Sequence, residues 1–290
     1  MFFFIIYIHI GRGIYYISFH KVSAWIVGCI ILLLSIVTAF LGYVLPIGQI
    51  SLWGGAVITN LLSVFPIWGA DFVVWTWGGP VVTAITLNRF YSLHYILPFL
   101  ICFLRLVHLN LLHILSSRNP IGIRKDIPKD KFVIYFSWKD CVGFYILFMI
   151  LLKFSFFNPH IFLDPENFLE ASPLTTPAHI QPEWYFLFAY TILRRIPRKP
   201  IGVLALVFSV LIFFFLPLSS WFKLRVRRKQ ANPVIVFRFP IFVRIIITLT
   251  FLGACPAEGV YLQLGAVCSI NYFIWFFCNF LYLKLWAEEY

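Results

Sequence analysis

Apolar residues run through this chain in long blocks separated by short polar stretches. Ser23 to Leu45 is almost uninterrupted and is ended by Pro46 and Gly48. The pattern returns at about Thr86 to His113, Asp140 to Phe157, Ile201 to Leu218, Val234 to Leu252 and Val260 to Leu285. About 20 apolar residues span a bilayer as a helix, so each block predicts a crossing. Met1 to Ile10 is apolar but too short to cross, and it lacks the basic start of a signal peptide. It predicts the second half of a spanning helix. The expected fold class is all-α, a polytopic transmembrane helical bundle.

Two connections are longer than a turn requires, and long ordered loops are usually functional. Gln49 to Pro80 is rich in Trp and Gly. Its SLWGGAVITNLL predicts a short helix lying at the interface, with Trp53, Trp68, Trp75 and Trp77 at the headgroup level. Asn158 to Pro200 holds QPEWYFLFAYTILRR, which predicts a turn followed by an amphipathic helix.

Composition agrees with a membrane setting. Of 290 residues, 61% are hydrophobic and 12% charged, against about 45–50% and 25% in soluble domains. A soluble enzyme, a disordered chain and a disulfide scaffold are excluded. The net charge of +12 belongs to loops between apolar runs, which favours positive-inside topology over nucleic-acid binding. Arg118, Arg124, Lys125, Lys129, Lys131 and Lys139 crowd one loop. Lys223, Arg225, Arg227, Arg228 and Lys229 crowd another, and Arg12 and Lys21 follow the half-helix. With one crossing per span these three fall on one side, the inner one. Arg194, Arg195, Arg198 and Lys199 are the exception on the outer side, either functional or snorkelling. The six cysteines form no C-x-x-C pair and are assigned no disulfide and no metal.

The histidines carry the chemistry. His94 and His108 share one span and stand fourteen residues apart. That is about 21 Å along a helix and about 40° around it, so two imidazoles face one seam at two depths. Ionisable groups inside a membrane are costly and usually functional. Gly28 and Gly42, in the preceding span, repeat the same spacing, and glycine admits a bulky flat group close to the backbone. The coincidence favours two stacked haems. His9 lies on a half-helix running parallel to the His94 span, at a depth similar to His108. His9 and His108 are candidate axial ligands of one haem.

IHIGRGIYY, AFLGYVLPIGQISLWGGAVITNLL, NRFYSLHYILPF, LVHLNLLH, the WKD at Trp138–Asp140 and QPEWYFLFAYTILRRIP together resemble cytochrome b, the haem-bearing subunit of the respiratory cytochrome bc complex, of the mitochondrial type. The resemblance covers nearly the whole chain and is weakest in the last quarter. It implies a four-helix haem-binding core, here incomplete, within 1–115; a basic inner loop, 116–139; and a C-terminal part with four spans and the PEWY loop, 140–290. It implies two haem b groups. His94 would ligate the low-potential haem near the outer face, and His9 with His108 the high-potential haem near the inner face. Arg12 resembles a haem-propionate partner and Arg89 a basic residue beside the outer haem. Phe40, Tyr43, Gly54, Pro182, Glu183 and Tyr190 fall on an outer quinol-oxidation site; His113, Lys139 and Asp140 fall on an inner quinone-reduction site.

Residue chemistry is consistent with these roles. Oxidising a quinol releases two protons, and a carboxylate in a partly desolvated pocket, Glu183, is a suitable acceptor. Tyr43 and Tyr190 are placed to position the ring, and Gly54 to let it approach the short helix. His113 and Asp140 suit hydrogen bonds to quinone carbonyls, although Asp140 by itself reads as a helix N-cap. The implied activity is that of quinol–cytochrome c reductase: one electron leaves to the Rieske iron–sulfur protein, and the other crosses both haems to ubiquinone at the inner site, coupled to proton translocation. The implied partners are that protein, cytochrome c1 and a second copy of the complex, in the mitochondrial inner membrane. No nucleic acid is expected.

The chain departs from the family in two places. The family's fourth axial His would precede Met1, along with the first spanning helix, so a fragment, or a split protein whose other piece carries that His, is expected. Arg105 stands in mid-span, three residues before His108, where the family has a small or apolar residue; pairing with a propionate or snorkelling are the two readings. A proton-coupled transporter using the same His and Glu is the rival class, but it needs broken helices or inverted repeats, and neither is visible.

Overall fold

A computed structural model describes residues 1–115, 130–222 and 233–289. The described chain is helical: α1 Phe2–Tyr15, α2 Val22–Val44, α3 Gln49–Thr59, α4 Gly69–Trp77, α5 Ala84–Leu115, α6 Trp138–Phe157, α7 Leu187–Arg194, α8 Lys199–Leu211, α9 Pro233–Ala254 and α10 Gly259–Glu289. Six of these elements are long and apolar enough to cross a membrane: α2, α5, the stretch from Val133 through α6, the stretch from α8 to Leu218, α9 and α10. They coincide with the six apolar blocks. The basic residues at 118, 124, 125 and 129 and those from Lys223 to Lys229 lie outside the described residues.

Large apolar side chains cover the outside of these helices, as lipid allows: Phe99 and Phe103 on α5 and Phe144 on α6 are more than half exposed. What is buried is a compact aromatic seam. Phe19, Phe213, Phe242, Tyr272, Trp275 and Phe276 pack with Ile14, Ile192 and Leu249, joining the start of the chain to α7–α10. Phe242 and Trp275 stack at 4.2 Å, and the Tyr272 hydroxyl donates to the Ser209 carbonyl at 2.6 Å. A smaller cluster of Phe40, Leu41, Val44 and Phe90 joins α2 to α5.

Two predicted elements differ in detail. The block Ile201–Leu218 is not one α-helix: α8 ends at Leu211 and Ile212–Phe222 tightens to a 3₁₀ helix containing Pro217. Proline has no N–H to give the carbonyl four residues back, here Phe213. That carbonyl accepts the Trp25 indole N–H instead, at 2.8 Å, so the break makes a tertiary bond. Asp140 is not an N-cap. The chain enters α6 through a π-helical turn, Val133–Ser137, so Asp140 lies inside a helix that is already under way.

Candidate functional site

The antiparallel packing of α2 on α5 brings the two fourteen-residue spacings into register. Gly28 faces His108 and Gly42 faces His94. A Cβ on Gly28 would lie 3.3 Å from His108 Cε1, and one on Gly42 only 2.4 Å from His94 Cε1. Each imidazole therefore sits on a backbone stripped of its side chain.

At the inner level the His9 and His108 rings are centred 6.3 Å apart with planes at 70°. An imidazole nitrogen binds a metal at about 2 Å and the ring centre lies about 1 Å further, so two rings across one ion are centred about 6 Å apart. His108 Nδ1 is buried without a partner, and Arg12 Nη2 lies 3.4 Å from His9 Nδ1, so a cation flanks the pair. No group of three or more His, Cys, Asp or Glu forms a metal cage among the described residues. Two facing imidazoles suit an iron whose other donors come from a macrocycle.

At the outer level His94 Nδ1 lies 2.8 Å from the Thr38 carbonyl. Donation of Nδ1–H to a carbonyl fixes the tautomer that leaves Nε2 free for a metal. Thr38 had no signal in the sequence; the bond exists only because α2 lies against α5. Arg89 does not point at a ligand in this arrangement. Its Nη1 donates to the Trp75 carbonyl and ties the end of α4 to α5.

The residues expected at an outer quinol site converge from two distant parts of the chain. Glu183 opens the 3₁₀ turn Trp184–Phe186, and its carboxyl lies within interaction range of the Tyr43 hydroxyl near the end of α2. Partial burial raises the Glu183 pKa above the usual carboxylate range and nearby Asp164 adds to the rise, while the Tyr43 hydroxyl opposes it. The Tyr190 hydroxyl donates to the Ile180 carbonyl at 3.2 Å, bracing the PEWY turn, and Pro182 beside it is half-buried. A Cβ on Gly54 would meet nothing within 4 Å, so α3 leaves open space there. Phe40 meets Phe90 edge-on at 5.9 Å.

Hydrogen bonds lock this end together. The Gln49 amide donates to the Thr175 carbonyl at 2.5 Å and accepts from the Ser172 N–H at 2.8 Å. Ser51 N–H donates to Asn167 Oδ1 at 2.8 Å, and the Trp53 indole to the Ser172 carbonyl at 3.1 Å. Trp53 and Trp77 are thus ties, the latter to Thr59 at 2.7 Å, whereas Trp68 and Trp75 are exposed as an interfacial belt requires. Gly48 is obligatory, since a Cβ there would lie 1.9 Å from the Asn167 carbonyl.

Two of the four outer basic residues find hydrogen-bond partners among the described residues. Arg194 Nη2 donates to the carbonyls of Leu252, Gly253 and Cys255 at 2.9–3.1 Å, capping the C-terminus of α9, and its guanidinium lies 4.5 Å from the Tyr190 ring centre. Lys199 Nζ reaches Ser63 Oγ at 2.9 Å. Arg195 is buried against Gly265, and burial and then Arg194 lower its pKa.

The inner quinone-site residues are not brought together. His113 in the last turn of α5 and Lys139 and Asp140 at the start of α6 are all exposed, and no hydrogen bond or ion pair joins them. A cavity of about 930 Å³ lies elsewhere, beside α1, among Phe4, Ile8, Phe188, Phe239 and Ile246.

Comparison with known proteins supplies a second line of evidence. Residues 1–116 match the family model described as "Cytochrome b/b6/petB", and residues 170–273 match "Cytochrome b(C-terminal)/b6/petD". The chain is 52% identical over 278 residues to the cytochrome b of Albinaria caerulea, covering 95% of this chain and 75% of that one. Its fold superposes on a chain of a solved structure titled "Hyperthermophilic respiratory Complex III" with a TM-score of 0.91 at 33% identity, covering 100% of this chain and 77% of the other.

Proposed function

Since the chain belongs to the cytochrome b family, and is the electron-transfer subunit of a quinol–cytochrome c reductase, we propose that its own residues divide the work between an outer quinol-oxidising site and an inner quinone-reducing site. The family's cofactors are b haems, which when bound supply one-electron carriers at two depths of the membrane. His9 and His108 would hold the inner one, with Gly28 giving it room and Arg12 placed for a propionate. His94, oriented by the Thr38 carbonyl, gives one ligand to the outer one beside Gly42.

At the outer site quinol lies in the space over Gly54, between α3 and the PEWY turn. Phe40 and Tyr190 bound the ring, and Pro182 and Tyr190 hold the turn that presents Glu183. The Glu183 carboxylate takes a proton from the quinol hydroxyl, and the Tyr43 hydroxyl orients that carboxylate until it does. Partial desolvation suits the exchange, because a raised pKa makes Glu183 a better acceptor and still lets it release the proton outward. At the inner site His113, Lys139 and Asp140 bind ubiquinone and deliver protons once the quinone brings them together.

The assignment carries the enzyme activity to this chain as a subunit within complex III, an oxidoreductase complex of the membrane. The expected companions are the Rieske protein, cytochrome c1 and a second copy, in the mitochondrial inner membrane. The supporting observation is the approach of the Tyr43 hydroxyl to the Glu183 carboxyl, which brings α2 to a turn about 140 residues away in sequence. Pre-steady-state reduction of the b haems by quinol in an E183Q complex tests it. Slowed reduction with full haem content supports the assignment, and an unchanged rate defeats it.

A further inference from the structure

Arg105 is the one feature of the haem-bearing span that the ligand assignment leaves unused. It lies within α5, ten residues from the helix end at Leu115, is exposed, and makes no hydrogen bond or ion pair among the described residues. The other arginine of α5, Arg89, sits near the opposite end and is satisfied by a carbonyl.

Helix geometry places Arg105 relative to the imidazoles. It stands one turn before His108, about 4.5 Å along the axis and about 60° around it, and about 16 Å and about 20° from His94. It therefore lies on the shoulder of the face that carries both ligands, between their two levels. Snorkelling to the nearer, inner surface is opposed by geometry. Every helical Cα–Cβ bond tilts toward the helix N-terminus, and α5 runs from the outer side inward. The side chain leans toward the middle of the membrane. No Asp or Glu occurs in α5 or in α2, on which it packs, so neither helix offers a counter-charge.

We propose that Arg105 is a fixed positive charge between the two haem levels that holds the electron preferentially on the inner haem, raising its midpoint potential relative to the outer one. The inference rests on the ligand assignment above. Guanidinium stays protonated at any working pH, and a cation stabilises whichever nearby centre has gained an electron. At an effective dielectric constant of about 20 and a separation of about 10 Å, one charge shifts the reduction equilibrium by upwards of tenfold, or by at least about 59 mV for one electron. The outer level is further away and shifts less.

Equilibrium redox titration of the two b-type absorbance bands, in native membranes carrying the whole complex, tests this. In Arg105→Gln the inner band should titrate at least about 59 mV lower and the outer band should move by less. Arg105→Lys, which keeps the charge, should match the wild type. An unmoved inner band, a larger shift of the outer band, or a Lys variant as low as the Gln variant overturns the proposal. Arg105→Met suits the span better and gives the same reading if the Gln complex does not assemble. A His108→Leu complex identifies the inner band as the one that disappears. If both bands persist there, the ligand assignment fails; if one disappears but Arg105→Gln moves nothing, only the role of Arg105 fails.

Discussion

The outer and inner ends of this bundle are built differently. At the outer end α3, the segment 158–180 and the PEWY turn are fastened by side chains that read one another's backbones: Gln49 with Thr175 and Ser172, Ser51 with Asn167, Arg194 with the end of α9. At the inner end His113, Lys139 and Asp140 stand exposed and apart, and α6 is exposed along nearly its whole length. A pocket that must keep water from a reacting quinol needs walls held before substrate arrives. A site whose polar groups wait in solvent needs only to gather them around the ring. The contrast places preorganisation at the outer end, the one proposed to oxidise quinol.

Breaking a ligand at the inner level should have the largest effect. A His108→Leu complex should lose one b-type band completely while the outer band stays, measured by reduced-minus-oxidised spectra against protein content. The next largest falls on the outer pocket. Positioned acid–base groups contribute about 10²–10⁴ in rate, so Glu183→Gln should slow quinol oxidation by at least about 100-fold with both bands intact. Its pH dependence has a definite sign. The carboxylate is the working form and its pKa lies above the usual range, so the outer reaction should slow as pH falls through that raised value. Stability runs the other way: the folded chain holds this proton more tightly than the unfolded one, so Glu183's contribution is favourable at low pH and is lost as pH rises from the ordinary carboxylate value through the raised one. Replacing Glu183 with Gln should flatten both profiles.

Smaller effects sharpen the comparison of the two ends. Gly48→Ala forces a methyl into the Asn167 carbonyl, and overpacking of this kind costs about 1–3 kcal/mol. Thermal unfolding of the complex should shift downward, with quinol oxidation impaired and the inner haem band unmoved. Asp140→Asn should change stability by no more than about 0.5 kcal/mol, as exposed positions do, and slow only the re-oxidation of the inner haem by quinone. A large fall in melting temperature for Asp140→Asn would show that the inner end is as tightly built as the outer.

Much of this was legible in the residues. Apolar block length placed all six spans, because a membrane offers the backbone no partner except its own helix. The matched spacings of His94–His108 and Gly28–Gly42 pointed to flat groups at two levels, and antiparallel packing of the two helices sets each glycine opposite a histidine because both spacings follow the helical period. Other features had no one-dimensional signature. Thr38 is an unremarkable threonine whose carbonyl orients His94. Arg89 and Arg194 look like free cations, yet they bind carbonyls at helix ends. The second interfacial helix, α4, was hidden in a Trp-rich stretch, and the single block after Lys199 divided into α and 3₁₀ turns where Pro217 freed a carbonyl for Trp25.

The sequence by itself determined that the chain crosses a membrane as helices and which faces carry imidazole and glycine, since both follow from the period of a helix and the cost of an unpaired peptide group. Only the tertiary structure decided which carbonyl each donor finds, and that Glu183 meets Tyr43, because such bonds depend on distances between segments far apart in the chain that no local pattern encodes.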